Sequence, residues 1–157
     1  MIPYGRQSIS QADIDAVVEV LKSDYLTQGP AVPAFESALS KYTSAEYAVA
    51  MNSATSALHV ACLALGVGKG DIVWTTPITF VASANCALYC GADVDFIDID
   101  PITYNVSISL LRTKLEHARS IGKLPKVFIP VHLAGQSCDI SHRWISCHRI
   151  DLQDEPE

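Results

Sequence analysis

Residues Asn52-Ser53-Ala54-Thr55-Ser56-Ala57-Leu58 form a run of small, mostly polar side chains between the apolar segment Tyr47 to Met51 and a helix-like stretch that reaches Leu65. The pattern predicts a strand, a tight turn and a helix start. The first backbone N–H groups of a helix have no acceptor inside it, and the aligned peptide dipoles place partial positive charge at that end. Such an end binds anions, phosphate in particular. Small residues let the anion reach the backbone, and the hydroxyls of Thr55 and Ser56 add donors. An ordinary N-cap has the same composition, so the run acquires meaning only from its context. That context is a second strand-to-helix junction further along the chain, Thr75-Thr76-Pro77-Ile78-Thr79-Phe80-Val81-Ala82-Ser83. Together the two junctions could hold one ligand between them.

Other chemistry-bearing residues carry weaker signals. Gly66-Val67-Gly68-Lys69-Gly70 has the composition of a nucleotide loop, but it leaves a helix and enters a strand, the reverse of a dinucleotide or P-loop motif. Its glycines read as a helix stop and a turn. Asp98 and Asp100, two apart in a turn with Pro101, suit capping rather than metal binding. His132 follows a predicted strand end, where it either faces a site or bonds to nearby backbone. Cys138, His142, Cys147 and His148 have zinc-ligand chemistry without finger spacing, and no metal is expected.

The elements that position these residues follow from periodicity. Ser10 with Asp13 can cap a helix from about Gln11 to Ser23, carrying Ile14, Val17, Val18 and Leu21 on one face. After a turn at Leu26 to Pro30, a second helix carries Val32, Phe35, Leu39 and Tyr42. Both are expected to pack on the body of the domain. From Tyr47 onward, strands and helices alternate: Tyr47–Met51, Thr55–Leu65, Ile72–Thr75, Phe80–Tyr89, Val94–Ile97, Leu110–Ala118 and Lys126–Val131. Alternation of this kind predicts an α/β fold, a mostly parallel sheet with helices on both faces. Ligands of such sheets sit at the carboxyl ends of the strands, where Asn52, Thr55, Phe80, Asp98 and His132 are expected to converge.

With 49% hydrophobic residues over 157, the chain can bury a core. Eleven basic against seventeen acidic residues give a net charge of −6, which disfavours nucleic acid and anionic membrane as partners. The N-terminus lacks a signal-peptide core, no apolar run is long enough to span a bilayer, and a cytoplasmic location is expected. The five cysteines lack paired spacing; Cys62, Cys86 and Cys90 fall in apolar helix-like segments and read as buried free thiols.

The two junctions, together with Leu26-Thr27-Gln28-Gly29-Pro30, Gly68-Lys69-Gly70-Asp71, Asp98-Ile99-Asp100-Pro101 and Pro130-Val131-His132-Leu133-Ala134-Gly135, resemble the DegT/DnrJ/StrS family of nucleotide-sugar aminotransferases. The ordered matches cover residues 1 to about 140. The resemblance implies part of the fold-type I large domain, with pyridoxal 5'-phosphate (PLP) as cofactor. It is most similar to the branch serving pseudaminic acid biosynthesis, which aminates a UDP-linked 4-keto-6-deoxy N-acetylhexosamine for cell-surface polysaccharide. By the resemblance, Ala54, Thr55 and Ser56 hold the cofactor phosphate, Phe80 stacks on its ring, and His132 lies near the substrate. The implied partners are the UDP-sugar, an amino-acid donor such as glutamate, and a second copy in a homodimer.

Cofactor chemistry of this type needs a phosphate cradle, a group over the ring, an acid at the pyridine nitrogen and a Schiff-base lysine. The first two are present. None of Lys22, Lys41, Lys69, Lys114, Lys123 or Lys126 matches the family's lysine motif, and the aspartate would fall at or past the last residue. The chain is therefore expected to be a truncated N-terminal part, residues 1–140, followed by a non-family tail, residues 141–157, disordered or frameshifted. Alone it is expected not to transaminate. Two other readings are a non-catalytic fragment that docks on a full-length copy, and a dinucleotide-binding module. The second lacks a correctly placed Gly-x-Gly-x-x-Gly.

Overall fold

The computed structural model describes residues 5–139, which fall into two compact units divided between Met51 and Asn52. In the first unit, α1 (Gln11–Lys22) begins with the expected capping box. The Ser10 hydroxyl accepts the Asp13 N–H at 3.3 Å, and the Asp13 carboxylate accepts the Ser10 N–H at 2.7 Å. Together they satisfy two of the donors that a helix start leaves open. A turn through Gln28, in the left-handed region at φ 54°, leads into α2 (Ala31–Thr43). Both helices place their apolar stripes as expected, yet neither contains a buried residue.

One correction concerns residues 47–51, expected as a strand. They pair with no strand among the described residues, and the Ala50 N–H donates to the Glu36 carboxylate at 2.8 Å. A strand exists only as half of a ladder, so an apolar run alone does not make one.

The second unit is built on a small sheet. Its helices are α3 (Ala54–Ala64), α4 (Ala82–Tyr89) and α5 (Ile108–Ser120); its strands are β1 (Ile72–Thr75), β2 (Asp93–Phe96) and β3 (Val127–Phe128). The order is β2-β1-β3 and both pairings are parallel, with Val73 opposite both Val94 and Val127. Central β1 is buried on both faces, and its residues sort the core into two layers. On the Val73 face lie Cys62, Val67, Cys86, Ala87 and Ala92, contributed by α3, α4 and the turns that follow them. On the Trp74 face lie Ile97, Val106, Leu111, Leu115, Ala118 and Cys138, with α5 as the covering helix. The parallel sheet with helices on both faces is therefore present, in three strands among the described residues rather than the four expected.

The three helices of this unit stop in one way. After α3, the Gly66 N–H donates to the Leu63 carbonyl and the Val67 N–H to the Cys62 carbonyl, each at 2.9 Å, with Gly66 at φ 69°. The glycine closes a Schellman turn that only a residue without Cβ adopts cheaply. The same bonding recurs at Gly91 after α4 and at Gly122 after α5. The Gly66–Gly70 segment is thus the helix stop and turn expected from its context.

Candidate functional site

Helix α3 starts at Ser53, whose hydroxyl accepts the Ser56 N–H at 3.1 Å and donates to the Ser56 hydroxyl at 3.1 Å. The Ala57 N–H is taken by the Ser53 carbonyl at 3.0 Å. The N–H groups of Ala54 and Thr55 have no acceptor among the described residues. The helix start is therefore both an N-cap and a pair of open donors, with Ala54 exposed and the Thr55 and Ser56 side chains half-buried beside it. The open donors and the Thr55 hydroxyl suit a phosphate group, whereas Ser56 has its N–H already engaged.

The far end of α3 fixes which way its start points. Lys126 Nζ donates to the Gly66 carbonyl at 2.6 Å and pairs with Asp71 Oδ2 at 2.9 Å, while the Lys126 N–H donates to the Ile72 carbonyl. Asp71 also accepts the Gly68 N–H at 2.9 Å. The Lys126 hydrogen bond and then the Gly68 N–H hold the Asp71 carboxyl below its ordinary range. These bonds tie the end of α3 to the amino edge of the sheet. Its start, about 16 Å away along the axis, is directed away from that edge.

From the carboxyl end of β1 the chain runs through Thr76 and Pro77 into the bend that carries Phe80. Thr75 and Thr76 are fully buried, and the Thr75 hydroxyl donates to the Ile129 carbonyl at 3.0 Å. The Thr79 and Ser83 hydroxyls are 3.0 Å apart, and the Phe80 carbonyl accepts the Ser83 N–H. These bonds clamp the bend on either side of Phe80, a residue 73% exposed. A core aromatic would be buried, and Phe80 is not part of the core among the described residues. Because α3 and α4 cover one face of the sheet, the start of α3 and the Phe80 bend lie on the same face.

His132 leaves the end of β3, the strand next to β1. Its Nδ1 accepts the Cys138 N–H at 3.0 Å, so in the neutral ring Nε2 carries the proton. This bond to nearby backbone engages one ring nitrogen, Nδ1. Asp98, after β2, turns back on its own segment: its carboxylate accepts the Ile99 N–H and its carbonyl the Ser107 N–H. Asp100 accepts the Ile102 and Thr103 N–H groups, capping as its spacing suggested. Asn52 follows the segment that is not a strand. Phe80, Asp98 and His132 are thus brought to the carboxyl edge of one sheet, while Asn52 is not placed there by a strand. The order β2-β1-β3 reverses direction beside β1, which is where open α/β sheets bind ligands.

One buried polar residue has no counterpart in the sequence reading: Asn105, 4% exposed, which bonds across to the segment following β3. Its only signal in the sequence is a position just after the Asp98–Pro101 turn. Of the residues with zinc-ligand chemistry, Cys138 is buried with its thiol on the Val131 carbonyl, and His142, Cys147 and His148 lie outside the described residues.

The sequence pattern of the DegT/DnrJ/EryC1/StrS aminotransferase family matches residues 7–153. The match runs past residue 140, where the tail was expected to begin; that tail lies outside the described residues. A UDP-4-amino-4,6-dideoxy-N-acetyl-β-L-altrosamine transaminase of Campylobacter jejuni is 54% identical over 99 residues, covering 63% of this chain and 26% of that protein. Among solved structures, the PLP form of the putative sugar aminotransferase Spr1654 of Streptococcus pneumoniae superposes with a TM-score of 0.76 at 34% identity, over 88% of this chain and 34% of that one. The Helicobacter pylori aminotransferase PseC, involved in pseudaminic acid biosynthesis, gives 0.77 at 33% identity, over 87% and 36%. The chain spans about a third or less of the length of these relatives.

Proposed function

Since this chain belongs to the DegT/DnrJ/EryC1/StrS aminotransferase family, whose members depend on PLP, we propose that Ala54, Thr55, Ser56 and Phe80 form the phosphate-and-ring side of its cofactor site. The protein to which that site belongs moves an amino group from an amino acid, glutamate by preference, to a UDP-linked 4-keto-6-deoxy sugar, as a homodimer. The observation that carries the reading is the pairing of two open N–H donors at the start of α3 with an exposed aromatic on the same face of the sheet. Identity to the altrosamine transaminase of Campylobacter favours the pseudaminic acid branch.

When bound, the cofactor supplies an electron sink beside the carbon that exchanges its nitrogen. The rest is the work of the chain. The Ala54 and Thr55 N–H groups and the Thr55 hydroxyl fix the phosphate, and with it the position of the ring. Phe80 presents a flat apolar face that sets the ring's tilt and keeps water from that side. His132, with Nδ1 engaged by the Cys138 N–H, keeps Nε2–H as the donor that would serve the sugar nucleotide. Two of the lysines are already committed: Lys114 Nζ is 2.7 Å from Asp95 and bonds to the Phe96 carbonyl, and Lys126 binds Asp71. In this reading the 157 residues hold cofactor without turning over an amino donor.

Equilibrium dialysis of the chain against PLP and against pyridoxal, which lacks the phosphate, tests the cradle. A hydrogen bond to a charged group is worth about 1.5–3 kcal/mol. Thr55→Val should therefore weaken PLP about tenfold or more and leave pyridoxal unchanged, while Phe80→Ala should weaken both. Equal retention of the two ligands by the parent chain overturns the assignment. Borohydride reduction should give no stoichiometric adduct on a single lysine; such an adduct, with turnover of the donor, overturns the claim of inactivity.

A further inference from the structure

The segment that carries His132 is folded back on itself, and the group that holds it is the side chain of Asn105. Asn105 Oδ1 accepts the Leu133 N–H at 3.0 Å, immediately after His132. Asn105 Nδ2 donates to the Gln136 carbonyl at 3.0 Å and the Ser137 carbonyl at 3.2 Å, immediately before Cys138. One amide thus grips both ends of the short 3-10 turn Leu133–Gly135, in which Ala134 takes a left-handed φ of 53°. The result of that grip is that the Cys138 N–H meets His132 Nδ1 at 3.0 Å.

We propose that Asn105 is a positioning residue that fixes the imidazole of His132 in its Nε2-protonated form, by clamping the 133–137 turn so that the Cys138 N–H occupies Nδ1. The chemistry explains why an amide sits there. The two ends of the turn offer one donor and two acceptors, and asparagine is a short side chain that presents an acceptor and a two-proton donor on one rigid plane. Aspartate would set a negative oxygen against two carbonyls. An apolar residue would leave three partly buried backbone groups without this partner. Glutamine would push the same group one methylene too far.

Asn105 is in turn delivered to this position from its own side. Its carbonyl accepts the Asp100 N–H at 2.8 Å, and Ile99 and Val106 form an antiparallel bridge around the turn. Tyr104 accepts a left-handed φ of 59° so that the next residue points inward. The Asp98–Asn105 turn and the His132 turn, which follow different strands, are therefore one hydrogen-bonded unit at the carboxyl edge. The clamp stands on these bonds alone. Its bearing on substrate rests on the reading of His132 given above, and the two fail independently, since the clamp is measured without any ligand.

The test is nitrogen-15 NMR of the imidazoles in the full chain in mildly alkaline buffer, alongside amide exchange. In the parent chain His132 should show one pyridine-type Nδ1 and one pyrrole-type Nε2, with the Leu133 N–H and the Asn105 Nδ2 protons slow to exchange. Averaged ring nitrogens in the parent chain overturn the proposal. In folded Asn105→Ala the two nitrogens should move toward averaged values and Leu133 should exchange on the order of tenfold faster. Asn105→Asp, which keeps the acceptor and loses both donors, should average the ring while retaining part of the Leu133 protection. A loss only of melting temperature, with the ring still locked in both variants, overturns the proposal. If neither variant folds, the parent chain decides: protected Asn105 Nδ2 protons with a locked ring support the clamp, and rapid exchange of those protons sinks it. Failure of PLP binding in the dialysis above would leave every one of these readings unchanged.

Discussion

Cys62 of α3 and Cys86 of α4 meet in the core on the Val73 face, where they are 2% and 0% exposed. Burial, and after it the hydrogen bond with Cys86, pushes the Cys62 thiol up to about 12. The thiolate is the reactive form, and at pH 8 a thiol of that acidity is ionised to only about one part in ten thousand. A disulfide reagent at pH 8 should therefore leave Cys62 unmodified in the native chain and label it at once in denaturant. Rapid native labelling of Cys62 would contradict the packing described. That these thiols are free and largely buried was legible from their apolar settings. The exposure of Phe80 was not, because nothing local to Phe80 says on which side of its bend the ring falls. Asn105 was harder still, since its partners lie about thirty residues away in sequence.

The elements of the second unit were readable in type and order because their signals are local. Ser53 and Ser107 cap α3 and α5, and Gly66, Gly91 and Gly122 end α3, α4 and α5 by the same turn. Gly66→Ala should cost about 1 kcal/mol or slightly more in urea unfolding, because Cβ opposes the φ of 69° that the turn needs. Its added carbon would meet only Lys126 Nζ, at 3.8 Å, so the cost is conformational rather than steric. An unchanged midpoint would show that the turn is not closed in this way. The strand expected at 47–51 marks the limit of such reasoning. Tyr47 and Val49 have strand-forming side chains yet are 79% and 70% exposed. Propensity describes a surface that fits a sheet; it does not supply the neighbouring strand.

Across the molecule, apolar surface is left open in a pattern that single residues do not reveal. In the first unit, Val17, Leu21 and Phe35 are each more than half exposed, on helices with no buried residue. In the second, Phe80 is 73% and Ile102 86% exposed, and β2 and β3 each have one unpaired edge among the described residues. Patches and edges of this kind promote association, and a net charge of −6 opposes it only weakly. Size-exclusion chromatography of the chain should show a concentration-dependent shift to species larger than the monomer, with binding of a hydrophobic dye. A clean monomer at all concentrations would mean that these surfaces are covered in solution. None of the described helices is long and apolar enough to cross a membrane.

The sequence by itself determined the family, the parallel α/β character, the cap of α1, the stop of α3 and the two junctions proposed to frame the candidate site. These follow from spacings of a few residues, over which chain geometry fixes which side chains and backbone groups can meet. Only the tertiary structure decided that segment 47–51 pairs with no strand among the described residues, that α3 and the Phe80 bend share one face, and that Asn105 clamps the turn beside His132. Each of those depends on groups far apart in the chain, and contact between distant segments is set by how the whole core packs.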